Sequence, residues 1–409
     1  MSGALKTLGC TLIFAGTAIG AGMLAIPLVT SAVGFPLAML LLFICWAVMS
    51  LTALLILETN LAFPDGANFN TMSRHTIGRG GQLITWISFL LLLYALTAAY
   101  VSGGASLLSI AVKLISGATW PHWVNTLVFT IVLGGVVVLG TRSVDYINRG
   151  LMTIKGVAFF AIFFLMLPHV DVHNLVSSVK QFPYIWYPLP ILITAFGSHI
   201  VIPSIRHYVG PDPKRLRLIV VAGCLLPLII YACWEIITLG VLPLYGSNSF
   251  HTIAAKHGSI GDMVLGLRHI VDSKVIAFGV NTFTDVAITT SFLGVTMSLL
   301  DFLAEAFHLN PRKISGRFLA SLLTFIPPIL FALFYPKGFV MALGYASIFV
   351  AILLIILPPL MVRNLRRQNK KQPYRTWQPT LVLWLLVLIG IGFVVAQVLS
   401  SLNLLPVFS

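Results

Sequence analysis

Long apolar runs alternate with short polar links along this chain, and the length of the runs decides the class. A helix needs ~20 residues to cross the hydrocarbon of a bilayer. Eleven stretches meet that length, at 8–33, 36–60, 83–111, 123–139, 151–170, 189–207, 216–242, 275–307, 318–334, 339–361 and 380–402. The expectation is an all-α integral membrane protein with eleven transmembrane helices. The first run is long and is followed at once by a second, so it is expected to act as its own insertion signal and not as a cleaved leader. The longest link, 243–274, repeats apolar residues at Ile253, Ile260, Met263, Val264, Leu267 and Ile270 with a helical period. A short external helix lying on the surface is expected there, with a gating lid as the alternative.

Two of the spans interrupt themselves. In the first, Gly16, Thr17, Ala18, Ile19, Gly20, Ala21 and Gly22 break an apolar helix. Glycine costs about 1 kcal/mol relative to alanine in a helix interior. Unpaired main chain at membrane depth is tolerated only where it faces protein or a watery cavity. In the sixth span Phe196, Gly197, Ser198 and His199 make a second candidate break, and Pro203 follows it as Pro27 follows the first. A simple proline kink in a channel or receptor helix is the plain alternative. Five spans followed by five place the second set in the opposite orientation, an inverted repeat with a site between the two breaks. The domains expected are 1–170, the first five-helix repeat; 171–361, the second repeat with the external helix around 250–272; and 362–409, a cytoplasmic basic loop and an eleventh helix.

Composition agrees and adds an orientation. Hydrophobic residues make up 58% of the chain and charged residues 9%, with a mean hydropathy of +0.99, far from the quarter-charged composition of soluble domains. The net charge of +14 does not imply a nucleic-acid partner, because the basic residues sit in links between apolar runs. Eighteen of them fall in links on one side: Lys6, Arg74, Arg79, Arg142, Arg149, Arg206, Lys214, Arg215, Arg217, Arg312, Lys313, Arg317, Arg363, Arg366, Arg367, Lys370, Lys371 and Arg375. Six, Lys113, Lys180, Lys256, Arg268, Lys274 and Lys337, fall on the other. By the positive-inside rule the amino terminus is expected in the cytoplasm and the carboxyl terminus outside. The four cysteines, Cys10, Cys45, Cys224 and Cys233, all lie in spans without metal or redox spacing and are expected to be packing residues.

Four segments carry a family resemblance: Ala15 to Pro27 (AGTAIGAGMLAIP), Tyr94 to Gly103 (YALTAAYVSG), Thr290 to Gly294 (TSFLG) and Phe334 to Ala346 (FYPKGFVMALGYA). Together they resemble the bacterial tyrosine-specific permeases of the hydroxy and aromatic amino acid permease family. That family lies within the amino acid-polyamine-organocation superfamily, which shares the leucine-transporter fold. The resemblance implies a bacterial inner-membrane transporter, with a periplasmic carboxyl terminus, that imports L-tyrosine by proton symport through alternating access. Tryptophan or another aromatic or hydroxy amino acid is the rival substrate, and sodium the rival coupling ion. No cofactor and no metal are implied.

A zwitterionic substrate would place its carboxylate on the amides of Gly20, Ala21 and Gly22, at the positive end of a half-helix. Its ammonium would meet carbonyls around Phe14, Ala15 and Phe196. An apolar pocket with one polar handle is needed for the phenol, since a buried hydroxyl without a partner costs roughly 1–3 kcal/mol. Candidates for the pocket are Met23, Tyr94, Thr97, Ala98, Phe196, His199 and Tyr345, with Thr17 and Gly197 in the breaks themselves. His199 either bonds the substrate hydroxyl, moves a proton, or satisfies a freed backbone carbonyl.

Lys155, a few residues into the fifth span, resembles the lysine that replaces a bound sodium in some proton-coupled members of the superfamily. Gly16, Ile19, Val286, Thr289 and Thr290 resemble the positions around that ion. A snorkelling lysine at the interface is the alternative. Of the acidic residues within spans, Glu58 is expected to pair with a nearby base or backbone group, while the roles of Glu235 and Asp285 stay open. No enzyme motif stands in the chain, so a channel is the rival from another class.

Overall fold

The computed structural model describes residues 3–176, 184–255, 259–271, 273–309, 314–368 and 373–405. Every element in them is helical. Of the basic residues weighed above, Lys180, Lys256, Arg312, Lys313, Lys370 and Lys371 lie outside the described residues.

The first span is two helices, α1 (Gly3–Ala18) and α2 (Gly22–Thr30), bent by 51° at the break. Then come α3 (Phe35–Leu61), a short α4 (Phe69–Thr76), α5 (Arg79–Ser116), α6 (His122–Leu139) and α7 (Thr141–Met166). A five-residue α8 (Val172–Val176) leads to the sixth span, again in two pieces: α9 (Leu189–Ala195) and α10 (Ile202–Val209), joined through a single 3-10 turn at His199–Val201. The remainder is α11 (Pro213–Val241), α12 (Phe250–Ala255), α13 (Ile260–Val271), α14 (Lys274–Ala306), α15 (Ile314–Phe334), α16 (Phe339–Val350), α17 (Leu357–Arg367) and α18 (Thr380–Ser401). A π-helical turn at Ala351–Ile356 joins α16 to α17 into one long tenth span. Among the described residues ten helices are long and apolar enough to cross a membrane, and the bent first pair makes eleven. This is the span count read from the sequence; most boundaries shift by a few residues of polar overhang, while the fifth span begins ten residues earlier than expected, at Thr141 instead of Leu151.

The broken helices lie inside the bundle. All of Met23 to Thr30 is buried, as are Leu189 to Ile193, while lipid-facing helices such as α6 and α15 leave large apolar side chains exposed. The second half of the sixth span is fastened to α3. The Arg206 guanidinium donates to the carbonyls of Asn60 and Phe63, the latter at 2.8 Å, and so caps the end of α3. On the other side of the pair, Trp46 of α3 donates through Nε1 to the Cys224 carbonyl of α11 at 3.0 Å. The cysteines are free, with Cys10, Cys45 and Cys224 buried.

The long link differs from the surface-lying segment that its period suggested. It forms two helices, and α13 packs against α2, α5, α11 and α14. Ile253, Ile260, Met263, Val264 and Leu267 are buried and only Ile270 is exposed. Gly261 lets this helix approach α5 at Ser106 and Ile110. The period was legible; the second wall that the segment covers was not.

Glu58 has found its base across more than 300 residues of chain. Its carboxylate accepts two bonds from the Arg366 guanidinium, both at 2.7 Å, and two more from the amide and hydroxyl of Thr376 at 2.8 and 2.6 Å. Arg366 in turn donates to the carbonyls of Thr376 and Gln378. A buried charge is tolerable when it is bidentately paired and its remaining lone pairs are used. This network holds the segment after α17 against α3. Removing one partner strands the other, so Glu58→Ala should destabilise the folded protein by about 3–5 kcal/mol. Glu58→Ala with Arg366→Leu should cost clearly less than the sum of the two single changes. Thermal unfolding of the purified protein in detergent measures both; strict additivity would show that the pair is not coupled.

Candidate functional site

Where α1 stops, its last carbonyls lack their usual helical partners; the Gly20 amide donates to the Ala18 carbonyl at 2.8 Å, and side chains from two other helices supply further donors. Lys155 of α7 is buried, with 6% of its surface exposed, and its ammonium donates to the Ile19 carbonyl at 2.7 Å. The same Nζ lies 3.4 Å from the Thr290 hydroxyl of α14. A cation at the carboxyl end of a half-helix also meets the negative end of its dipole. Gly16 makes this approach possible, because a Cβ there would stand 2.8 Å from Met152, one turn before the lysine.

The neighbouring carbonyl, Ala18, accepts from the Tyr231 hydroxyl of α11 at 2.7 Å. The same hydroxyl lies 2.7 Å from the carbonyl of Ala195, the last residue of α9. One phenol thus spans the carboxyl ends of both first half-helices. The two breaks abut directly: a Cβ on Gly22 would fall 3.6 Å from the Ala195 Cα. On the amide side, the Ala21 N–H donates to the Ser291 hydroxyl of α14 at 2.8 Å, and Gly20 stands so close that a Cβ would lie 2.5 Å from that oxygen. Tyr100 of α5 is buried in the neighbourhood of the same Ser291. Met23 is fully buried and Phe196 nearly so, its ring packed on Tyr231 with centroids 5.1 Å apart.

The residues singled out from the sequence divide into three groups. Ile19, Gly20, Ala21, Gly22, Met23, Lys155, Thr290, Phe196 and Gly197 gather around the paired breaks, with Gly16 behind them. His199 is buried behind the second break, its Nε2 2.9 Å from the Thr52 hydroxyl of α3. Val286 is buried on the same helix one turn before Thr290. Thr97 bonds its own helix at the Leu93 carbonyl and Ala98 is buried beside it.

The others face elsewhere. The Thr17 hydroxyl bonds the Ile13 carbonyl on the exposed side of α1. Tyr94 reaches α15, donating to the Leu323 carbonyl at 2.8 Å. Tyr345 is 38% exposed. Thr289 and Asp285 line a separate cavity of about 270 Å³ between α5, α6 and α14, with Gly104 and Phe129. Glu235 of α11 is buried and accepts from Thr30 at 2.7 Å, at the far end of α2.

Tyr231, Ser291 and Tyr100 were not found from the sequence. Each had a readable signal. A phenol in the middle of an apolar span must find a polar partner, and two broken helices offer free carbonyls; Ser291 and Tyr100 stand inside segments already quoted for their family pattern.

Residues 4–397 match the profile of the Tryptophan/tyrosine permease family. Curated relatives include the Tyrosine-specific transport system 1 of Haemophilus influenzae, 37% identical over 94% of this chain and 95% of the relative. The Tryptophan-specific transport protein of Pseudomonas aeruginosa is 34% identical over 98% and 96%. The Tyrosine permease of Enterobacter agglomerans is 31% identical over 98% and 97%.

The tight fit at the first break makes a simple test of its geometry. Gly20→Ala should destabilise the protein by about 1–3 kcal/mol, because the methyl must push Ser291 aside. Gly156→Ala, on an open face of α7 with nothing within 4 Å, should be neutral or stabilising by up to about 1 kcal/mol. Melting temperatures in detergent compare the two, and equal behaviour would contradict the close approach.

Proposed function

Since the chain belongs to the tryptophan/tyrosine permease family, we propose that it is a secondary active transporter that imports L-tyrosine by proton symport through alternating access. The observation that carries the coupling half of this reading is the Lys155 ammonium set between the Ile19 carbonyl and the Thr290 hydroxyl. Two oxygens from helices α1 and α14 are the kind of ligands a hard monovalent cation takes, and an ammonium and a metal ion in one small cavity would repel each other. The lysine therefore serves as the cation. Protonated, it ties α1 to α14; giving up its proton frees α1 to move against that helix, which links the proton to the rocking of one repeat against the other.

The substrate half rests on the paired breaks. Amides of Ala21 and Gly22 face the carboxylate, the Gly20 amide being taken up by the Ala18 carbonyl at 2.8 Å, and the carbonyls of Ala18 and Ala195 face the ammonium, so no acidic side chain is required. Met23 and Phe196 supply the apolar wall. His199, whose Nδ1 makes no hydrogen bond, is the handle for the phenol. The leucine-transporter arrangement of two inverted five-helix repeats accounts for why the first span of each half is the broken one. The protein would sit in the bacterial inner membrane with its amino terminus in the cytoplasm and its carboxyl terminus in the periplasm. Tryptophan is the second reading, favoured by tryptophan-specific relatives at a similar level of identity.

Uptake into proteoliposomes should rise as external pH falls and should not need sodium, and Lys155→Ala should abolish the pH dependence. Sodium-dependent uptake lost in Thr290→Ala would overturn proton coupling. Counterflow against the full set of amino acids ranks tyrosine against tryptophan. In the same assay His199→Ala should weaken tyrosine transport several-fold more than phenylalanine transport; equal losses would reject the phenol contact.

A further inference from the structure

A transporter that couples two gradients must also turn over without its solute, and the broken helices make that step costly. Each break exposes main-chain acceptors and donors at mid-depth, where an unpaired polar group has no solvent to fall back on. The structure pairs both kinds inside the protein. The Tyr231 hydroxyl stands 2.7 Å from each of the carbonyls of Ala18 and Ala195, the positions assigned above to the ammonium of an amino acid. The Ser291 hydroxyl accepts from the Ala21 amide at 2.8 Å, a position assigned to the carboxylate.

We infer that Tyr231 and Ser291 are internal stand-ins for the two charged ends of the solute, closing the site in the step where the unloaded carrier returns. This rests on the binding reading given above. The geometry favours exchange in both directions. The phenol has one hydrogen for two carbonyls, of which Ala18 has the Gly20 amide as a second donor at 2.8 Å and Ala195 does not, whereas an ammonium has three donors, so an arriving amino acid satisfies both acceptors and displaces the phenol. A neutral hydroxyl is likewise a weaker acceptor for the Ala21 amide than a carboxylate. Tyr231 is fully buried and wedged by the Phe196 ring, and Ser291 is packed against Gly20 at the first break, so both hydroxyls remain at the breaks when the solute has left. They are positioning residues: they act on the conformational step through the two half-helices.

Net uptake needs the unloaded return; counterflow exchange does not. In proteoliposomes carrying the aromatic amino acid that the wild type exchanges fastest, tyrosine or tryptophan, Tyr231→Phe should lower the ratio of net uptake to counterflow by about tenfold, with no rise in the KM of counterflow. Ser291→Ala should lower the ratio in the same direction, and it serves as the independent variant if Tyr231→Phe folds poorly. Uptake and counterflow falling in equal proportion, or a raised KM, would overturn the inference in favour of a structural or direct solute contact. An unchanged ratio in both variants would overturn it too. Absence of any aromatic amino acid counterflow in the wild type would instead defeat the binding reading itself.

Discussion

Backbone polarity released at mid-depth is the constraint around which this molecule is arranged. Two helices stop inside an apolar bundle, and the carbonyls and amides they free cannot be left to hydrocarbon. Lys155, Tyr231 and Ser291 arrive from α7, α11 and α14 to meet them. These helices pack where they do because the break needs their donors and acceptors, and small residues at Gly16, Gly20 and Gly22 let them come near enough. The broken helices and their suppliers form one polar core wrapped by apolar scaffolding.

Within that core the polar groups differ in kind. Lys155 brings a charge, while the two hydroxyls bring neutral hydrogen bonds. The Lys155 ammonium joins the carbonyl just past α1 to the Thr290 hydroxyl of α14, while the Tyr231 hydroxyl stands between a carbonyl of each break. On the proposed reading, this separation would let ion and solute act on the same pair of half-helices through different contacts.

Hydropathy made the fold legible because a bilayer imposes a length on each helix, and that length survives in the apolar runs. The first break was legible because Gly16, Gly20 and Gly22 crowd into one short stretch of such a run and weaken a helix that lipid would otherwise keep whole. The lysine at the fifth span was found through family likeness, and its partners Ile19 and Thr290 with it. What escaped was the direction in which side chains on one helix point. Tyr94 and Tyr100 stand six residues apart on α5, yet one reaches the Leu323 carbonyl of α15 and the other is buried in the core. Thr289 and Thr290 are adjacent and face different spaces. Tyr345 looks outwards. In a helix buried on most sides the hydropathy pattern has almost no phase, so the sequence does not say which face meets the break. Tyr231 was hidden for another reason: its value lies in two carbonyls 36 and 213 positions away, and backbone atoms leave no trace in residue type.

The Arg206 clamp on the end of α3 has a consequence for how this architecture tolerates change. Each inserted residue turns the following part of a helix by about 100° and advances it by 1.5 Å. An extra residue between Ile202 and Arg206 would swing the guanidinium away from Asn60 and Phe63 and uncap α3, even though every hydrophobic contact of α10 could be rebuilt. An extra residue in the exposed turn around Asp65 and Gly66 leaves both partners in register. An added residue in the loop puts at stake the exposed Asp65–His207 pair, whereas one in the facing helix removes the buried cap of α3.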